Sequence, residues 1–123
     1  MPCSKFYFFI IFVSLTTLSC SIKIPEDVSK EFADVNEIID FNYHVKPILS
    51  DRCYQCHGPD EKTRKAGLRL DIESIAFSKL KSGKFAFTSG NLFKSEVAHR
   101  ILEENPDLLM PPPEANLRLS NRE

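Results

Sequence analysis

The chain lacks an excess of charge of either sign. Sixteen Lys and Arg residues face seventeen Asp and Glu, a net charge of −1. That balance gives no electrostatic footing for nucleic acid and no basic face for a membrane surface. No apolar run is long enough to cross a bilayer comfortably; the longest, residues 6–15 (FYFFIIFVSL), falls short of the roughly 20 residues a spanning helix needs. Histidine is scarce, with three in 123 residues: His44, His57 and His99. Neither His44 nor His99 stands at finger-like spacing from the cysteine pair at 53 and 56, so a four-ligand zinc site is poorly supplied. A βαβ pattern is also absent, which argues against a thioredoxin-like dithiol. Apolar content beyond the first twenty residues is modest. A domain this small is commonly reinforced by a disulfide, a metal or a cofactor.

What is present centres on Cys53-Tyr54-Gln55-Cys56-His57. The pattern C-x-x-C-H is the attachment signature of c-type haem. Two thiols at this spacing can each add across a haem vinyl group, and the adjacent imidazole is placed to ligate the iron. C-x-x-C alone also serves redox and zinc chemistry; the following histidine makes the pattern far more specific.

Residues 1–20 read as a lipoprotein-type signal peptide. Lys5 supplies a positive start, residues 6–15 an apolar stretch, and Leu18-Ser19-Cys20 resembles a lipobox whose cysteine is lipidated. Thr17 departs from the leucine usual at that position. Export agrees with haem attachment, which in bacteria takes place outside the cytoplasm, and gives a membrane partner through Cys20. Residues 21–36 read as a polar tether, with a short helix over residues 28–35 as the alternative. Residues 37–123 form the domain.

Within it, Asp40 suits a helix cap before Phe41. Val45, Ile48, Leu49 and Cys53 recur at helical spacing, so the pattern predicts one helix face leading into the first thiol. Pro47 either starts that helix or breaks an earlier turn. Gly58-Pro59-Asp60 turns the chain. The cations Lys62, Arg64 and Lys65 read as part of a solvated loop, with an acidic partner or haem propionates as the alternative. Leu68 and Leu70 point one way along an extended piece. Asp71 or Ser74 is expected to cap a short helix carrying Ile72, Ile75, Ala76 and Leu80. Phe85 and Phe87 alternate and are expected to cover the haem edge. A helix is expected over residues 95–104, ended by Asn105-Pro106.

The second chemical feature is Met110-Pro111-Pro112-Pro113. A proline-rich loop forms no regular structure but can hold one side chain rigidly. A thioether raised on it is a candidate sixth ligand to haem iron, and His/Met ligation suits electron transfer. The alternative is that Met110 fills the core. His99 and His44 compete as distal ligands; a hydrogen-bonded structural role is the simpler reading of His99. Ser120 and Glu123 match the capping box S-x-x-E. The pattern announces a helix and leads to the expectation that the domain lacks its C-terminal helix, with downstream domains missing from this chain.

In order, residues 41–49 (FNYHVKPIL), 53–60 (CYQCHGPD) and 67–71 (GLRLD), Ser95-Glu96 with His99-Arg100-Ile101, and Met110-Pro111-Pro112-Pro113 resemble the planctomycete-type cytochrome c domain. The resemblance spans roughly residues 41–120. It implies a mostly α-helical, cytochrome c-like fold with long loops and covalent haem c. Cys53 and Cys56 become the thioether sites, His57 the proximal iron ligand and Met110 the distal one. The function implied is single-electron transfer outside the cytoplasm with a redox partner protein of unknown identity, and not enzymatic catalysis. The alternative is a peroxidase-like haem enzyme with an open sixth position. A third reading is a haem-free interaction module whose C-x-x-C forms a disulfide.

Overall fold

The computed structural model describes residues 22–35 and 38–123. The signal-peptide reading, with Cys20, lies outside these residues. Among those described, no helix is long and apolar enough to cross a membrane. Among the described residues, five short α-helices and three tighter or wider helical turns are joined by long loops, and extended pairing is confined to isolated bridges. The architecture is mostly helical.

Helix α1 spans Glu26–Ala33, so the stretch read first as a tether carries the alternative helix, begun two residues earlier than expected. Its start is favoured electrostatically: Glu26 and Asp27 occupy the first turn, where the helix dipole stabilises carboxylates. Lys30 pairs with Glu26 one turn away at 2.9 Å. It buries no residue. Its links to the far end of the chain are polar, from Asn121 Nδ2 to Asp27 Oδ2 (2.7 Å) and from Arg122 to Glu31 (3.9 Å).

The difficulty posed by Pro47 is resolved by a change of helix type. Phe41–Val45 forms a π-turn, capped by Asp40 Oδ1 accepting from the Tyr43 amide at 2.9 Å. The Lys46 amide reaches back to the Phe41 carbonyl. Proline cannot donate to the carbonyl four residues earlier, and its ring crowds that oxygen. A wider turn there relieves both problems. Helix α2, Lys46–Arg52, then begins with Pro47 in its first turn, where a missing amide costs nothing.

The core is small: Leu49, Leu68, Leu70, Ala76 and Ala86, with Val45, Cys53, Tyr54, Leu80, Phe87 and Val97 packed around it. Leu68 and Leu70 do share a face and are 8% and 6% exposed. Ile48 departs from the expected face. It lines a separate groove with Phe32, Ile39 and Tyr43, while Val45, Leu49 and Cys53 meet the core. Helix α4 is a single turn, Glu73–Ala76, with no side-chain cap. Asp71 is engaged elsewhere, in a bidentate pair with Arg69, and that hydrogen bond above all holds its carboxyl below the usual range.

Residues 79–97 form a compact ribbon. Lys79 bridges Phe85 antiparallel and Phe85 bridges Ser95 in parallel. The buried Ser95 hydroxyl donates to the Asn91 carbonyl (2.8 Å) and accepts from the Thr88 amide (2.9 Å). Helix α5, Glu96–Ile101, follows. It ends about three residues before the expected boundary; Leu102 already has non-helical backbone angles.

At the end of the chain the expected capping box is formed. The Ser120 amide and hydroxyl both reach Glu123 Oε2 at 2.9 Å.

Candidate functional site

The backbone around the C-x-x-C-H segment is built from two helices that meet at Cys53. The Cys53 amide donates to the Leu49 carbonyl at 2.9 Å, closing α2. Helix α3, Tyr54–His57, restarts at once, with the His57 amide donating to the Cys53 carbonyl at 2.8 Å. Gly58 then reverses the chain in a buried position. A Cβ at this residue would run into the Tyr54 carbonyl oxygen and lie 2.8 Å from the Tyr54 Cβ. Only glycine allows so close an approach.

The following loop is fastened to the same helix. The Lys65 amide donates to the Cys56 carbonyl (2.7 Å), and the Leu70 amide to the His57 carbonyl (2.8 Å). Arg64 is turned inward, its guanidinium bonding the Gly58 and Pro59 carbonyls at 3.1 and 2.6 Å. It braces the turn and is not a free cation in a wet loop.

Cys53 and Cys56 are both free thiols. Burial raises the pKa of the Cys53 thiol, keeping it protonated. The His57 pKa is lowered, chiefly by burial; the Lys65 backbone carbonyl, which lies near the ring outside hydrogen-bonding geometry, opposes this. Its Nδ1 is buried with no hydrogen-bond partner. A neutral imidazole in an apolar wall is the form that ligates a metal.

Cys53, His57 and Met110 line one cavity of about 330 Å³. Its other walls are mainly apolar, with Ala66, Leu68, Leu70, Leu80, Ala86 and Val97, and its polar members are Lys81, Ser82, Glu96 and Arg100. An adjoining cleft is lined by Cys53, Cys56, His57 and Met110 together with Pro111 and Pro112. The four residues singled out from the sequence therefore come together, although Met110 is 53 residues beyond His57. Met110 is carried by an irregular loop; its amide donates to the Arg100 carbonyl at 2.9 Å. Two free thiols, an imidazole with an unpartnered buried nitrogen, and a thioether around an apolar space fit a covalently held haem.

The rival ligands lie elsewhere. His99 Nε2 is 2.8 Å from the Phe93 carbonyl, and His44 Nδ1 accepts from the Asp40 amide at 2.9 Å. Neither lines the cavity, and among the described residues no cluster of three His, Cys, Asp or Glu side chains is placed for a metal ion. The expectation for the aromatic pair changes as well. Phe87 stacks on Phe77 (centroids 5.7 Å apart) and lines a different groove with Phe41 and Tyr54. Phe85 is 41% exposed and does not line the cavity.

Glu96, expected only as a helix and motif residue, also lines the cavity. Burial pushes its carboxyl up, but hydrogen bonds from Lys84 Nζ (2.7 Å) and Arg100 Nε (3.0 Å) outweigh this and hold it below its ordinary value. The spacing of Glu96 and Arg100, four apart on a helix, was the available signal.

Comparison with known families gives a match over residues 53–114 to the model described as Planctomycete cytochrome C. Neither the curated proteins nor the solved structures yield a match.

Proposed function

Because the chain belongs to the planctomycete cytochrome c family, we propose that it is a covalent-haem module that passes single electrons outside the cytoplasm. Cys53 and Cys56 would hold the haem through thioether bonds, His57 would offer its imidazole and Met110 its thioether. When bound, haem c supplies an iron centre that cycles between ferric and ferrous states. The chain's own part is to hold the group and set its surroundings. Helices α2 and α3 fix both thiols and the imidazole on hydrogen-bonded backbone. The mainly apolar walls give the space between His57 and Met110 a lining of low polarity. A pair of retained ligands of this kind favours outer-sphere transfer over substrate turnover, so the module is read as a carrier and not an enzyme.

The observation that carries this reading is the convergence of Cys53, Cys56, His57 and Met110 on one cleft. The test is co-expression with a cytochrome c maturation system, followed by denaturation. The haem is expected to stay with the polypeptide and to be lost as a covalent adduct in the double variant Cys53→Ala/Cys56→Ala. Release of all haem from the unmodified chain would overturn the proposal. The signal-peptide pattern ending at Cys20 further supports an exported, lipid-anchored protein. Labelled-lipid incorporation that disappears in Cys20→Ala is the expected result.

A further inference from the structure

The loop that carries Met110 has no regular structure and little buried surface, yet a ligand must be held firmly to stay on its metal. Its hydrogen bonds to α5 are made by one residue. Arg100 lies on α5 and contacts the loop twice. Its backbone carbonyl accepts from the Met110 amide at 2.9 Å, and its side-chain Nη1 donates to the Leu108 carbonyl at 3.2 Å. The two bonds flank Leu109, so the backbone on either side of that residue is pinned to the helix. Arg100 is itself fixed: its Nε donates to Glu96 Oε1 at 3.0 Å, and the second oxygen of Glu96 accepts from Lys84 at 2.7 Å. The Glu96 side chain is only 13% exposed, and the Glu96 amide donates to the Phe85 carbonyl at 2.9 Å. A continuous polar chain thus runs from Lys84 and Phe85 through α5 to the Met110 loop. Glu96, Arg100 and Met110 all line the same cavity.

We propose that Arg100 is a positioning residue for the distal ligand: braced by Glu96, it holds the 108–110 backbone so that the Met110 thioether stays presented to the cavity. The inference rests on the reading of Met110 as a ligand. Its side-chain half is an exposed charge-assisted bond to a carbonyl, and the guanidinium that makes it is braced by a partly buried bond to the Glu96 carboxylate. The backbone half survives any substitution, so removing the side chain loosens the loop without releasing it. Competition by an external ligand reads that loosening directly.

The experiment uses the haem-loaded protein and imidazole as the probe. In Arg100→Gln the covalent haem and the far-ultraviolet circular dichroism are expected to be retained. The methionine-to-iron charge-transfer band is expected to weaken, and imidazole to bind about tenfold more tightly, the equivalent of one charge-assisted hydrogen bond. Arg100→Lys, which keeps a cationic donor, should recover part of the difference. Glu96→Gln, which leaves Arg100 in place but takes the charge from its brace, should give a smaller shift in the same direction. A normal band in the unmodified protein together with unchanged imidazole affinity in Arg100→Gln overturns the inference alone. Absence of the band from the unmodified protein overturns the Met110 reading and this inference with it. Should Arg100→Gln fail to fold, Glu96→Gln decides: unchanged imidazole affinity there refutes the bracing.

Discussion

The two sides of the candidate haem site are built on different principles. On the His57 side, the residues are consecutive in sequence and sit on hydrogen-bonded helical backbone, with Leu49, Leu68 and Leu70 packed behind them. On the Met110 side, the backbone is irregular, the Met110–Pro111 peptide is cis, and the hold depends on a few polar contacts to α5. One side is rigid because its local structure is regular; the other is positioned only by tertiary contacts. In the proposed holoprotein both ligands are retained, and the hold on Met110 is the one that depends on a few tertiary hydrogen bonds.

Breaking the rigid side should have the largest effect. His57→Ala is expected to abolish normal ligation and to reduce yield of haem-loaded protein severely, measured as covalent haem per polypeptide. A variant that matures with an unaltered ferric spectrum would remove His57 from the role given to it.

Next in size is the backbone reversal after α3. Gly58→Ala puts a methyl group against the Tyr54 carbonyl, which helix α3 does not let move. Overpacking of this kind costs about 1–3 kcal/mol, to be read from denaturant unfolding. A stability equal to that of the unmodified chain would mean the turn relaxes freely.

The smallest effect expected is a pH dependence on the Met110 side. The Glu96 carboxyl is held below its ordinary value of 4.5 in the folded chain. A depressed carboxylate binds protons less readily when folded than when unfolded. Its stabilising contribution is therefore complete above the unfolded value, and is lost as pH falls through the lower folded one. Glu96→Gln should lose stability near neutral pH and show a shallower decline on acidification. An unfolding profile parallel to that of the unmodified protein would show that the Lys84–Glu96–Arg100 chain contributes nothing in acid.

The same contrast explains what could be read from the sequence. Cys53, Cys56 and His57 were legible because their chemistry lies in five consecutive residues. The α2 face was legible at Val45, Leu49 and Cys53 through helical spacing, but Ile48 was misassigned. The π-turn before Pro47 changes how the pattern projects onto the surface. Met110 was legible only as a candidate, because a proline run marks a held loop without saying which wall it faces. Phe87 was misplaced because alternation tells which residues share a side, not what lies on that side. Arg64 looked like a solvated cation since nothing local announces that a guanidinium will fold back onto two carbonyls. Arg100 was visible as a helix residue, but its bond to Leu108 joins segments that only the tertiary structure brings together.

The most direct test of the central claim is the ferric absorption spectrum of the haem-loaded protein beside that of Met110→Ala. A low-spin spectrum with a methionine-to-iron charge-transfer band is expected for the unmodified chain. Covalent haem with loss of that band and a shift to high spin is expected for the variant. Identical spectra from the two proteins, or a high-spin unmodified protein that turns over peroxide readily, would contradict the account.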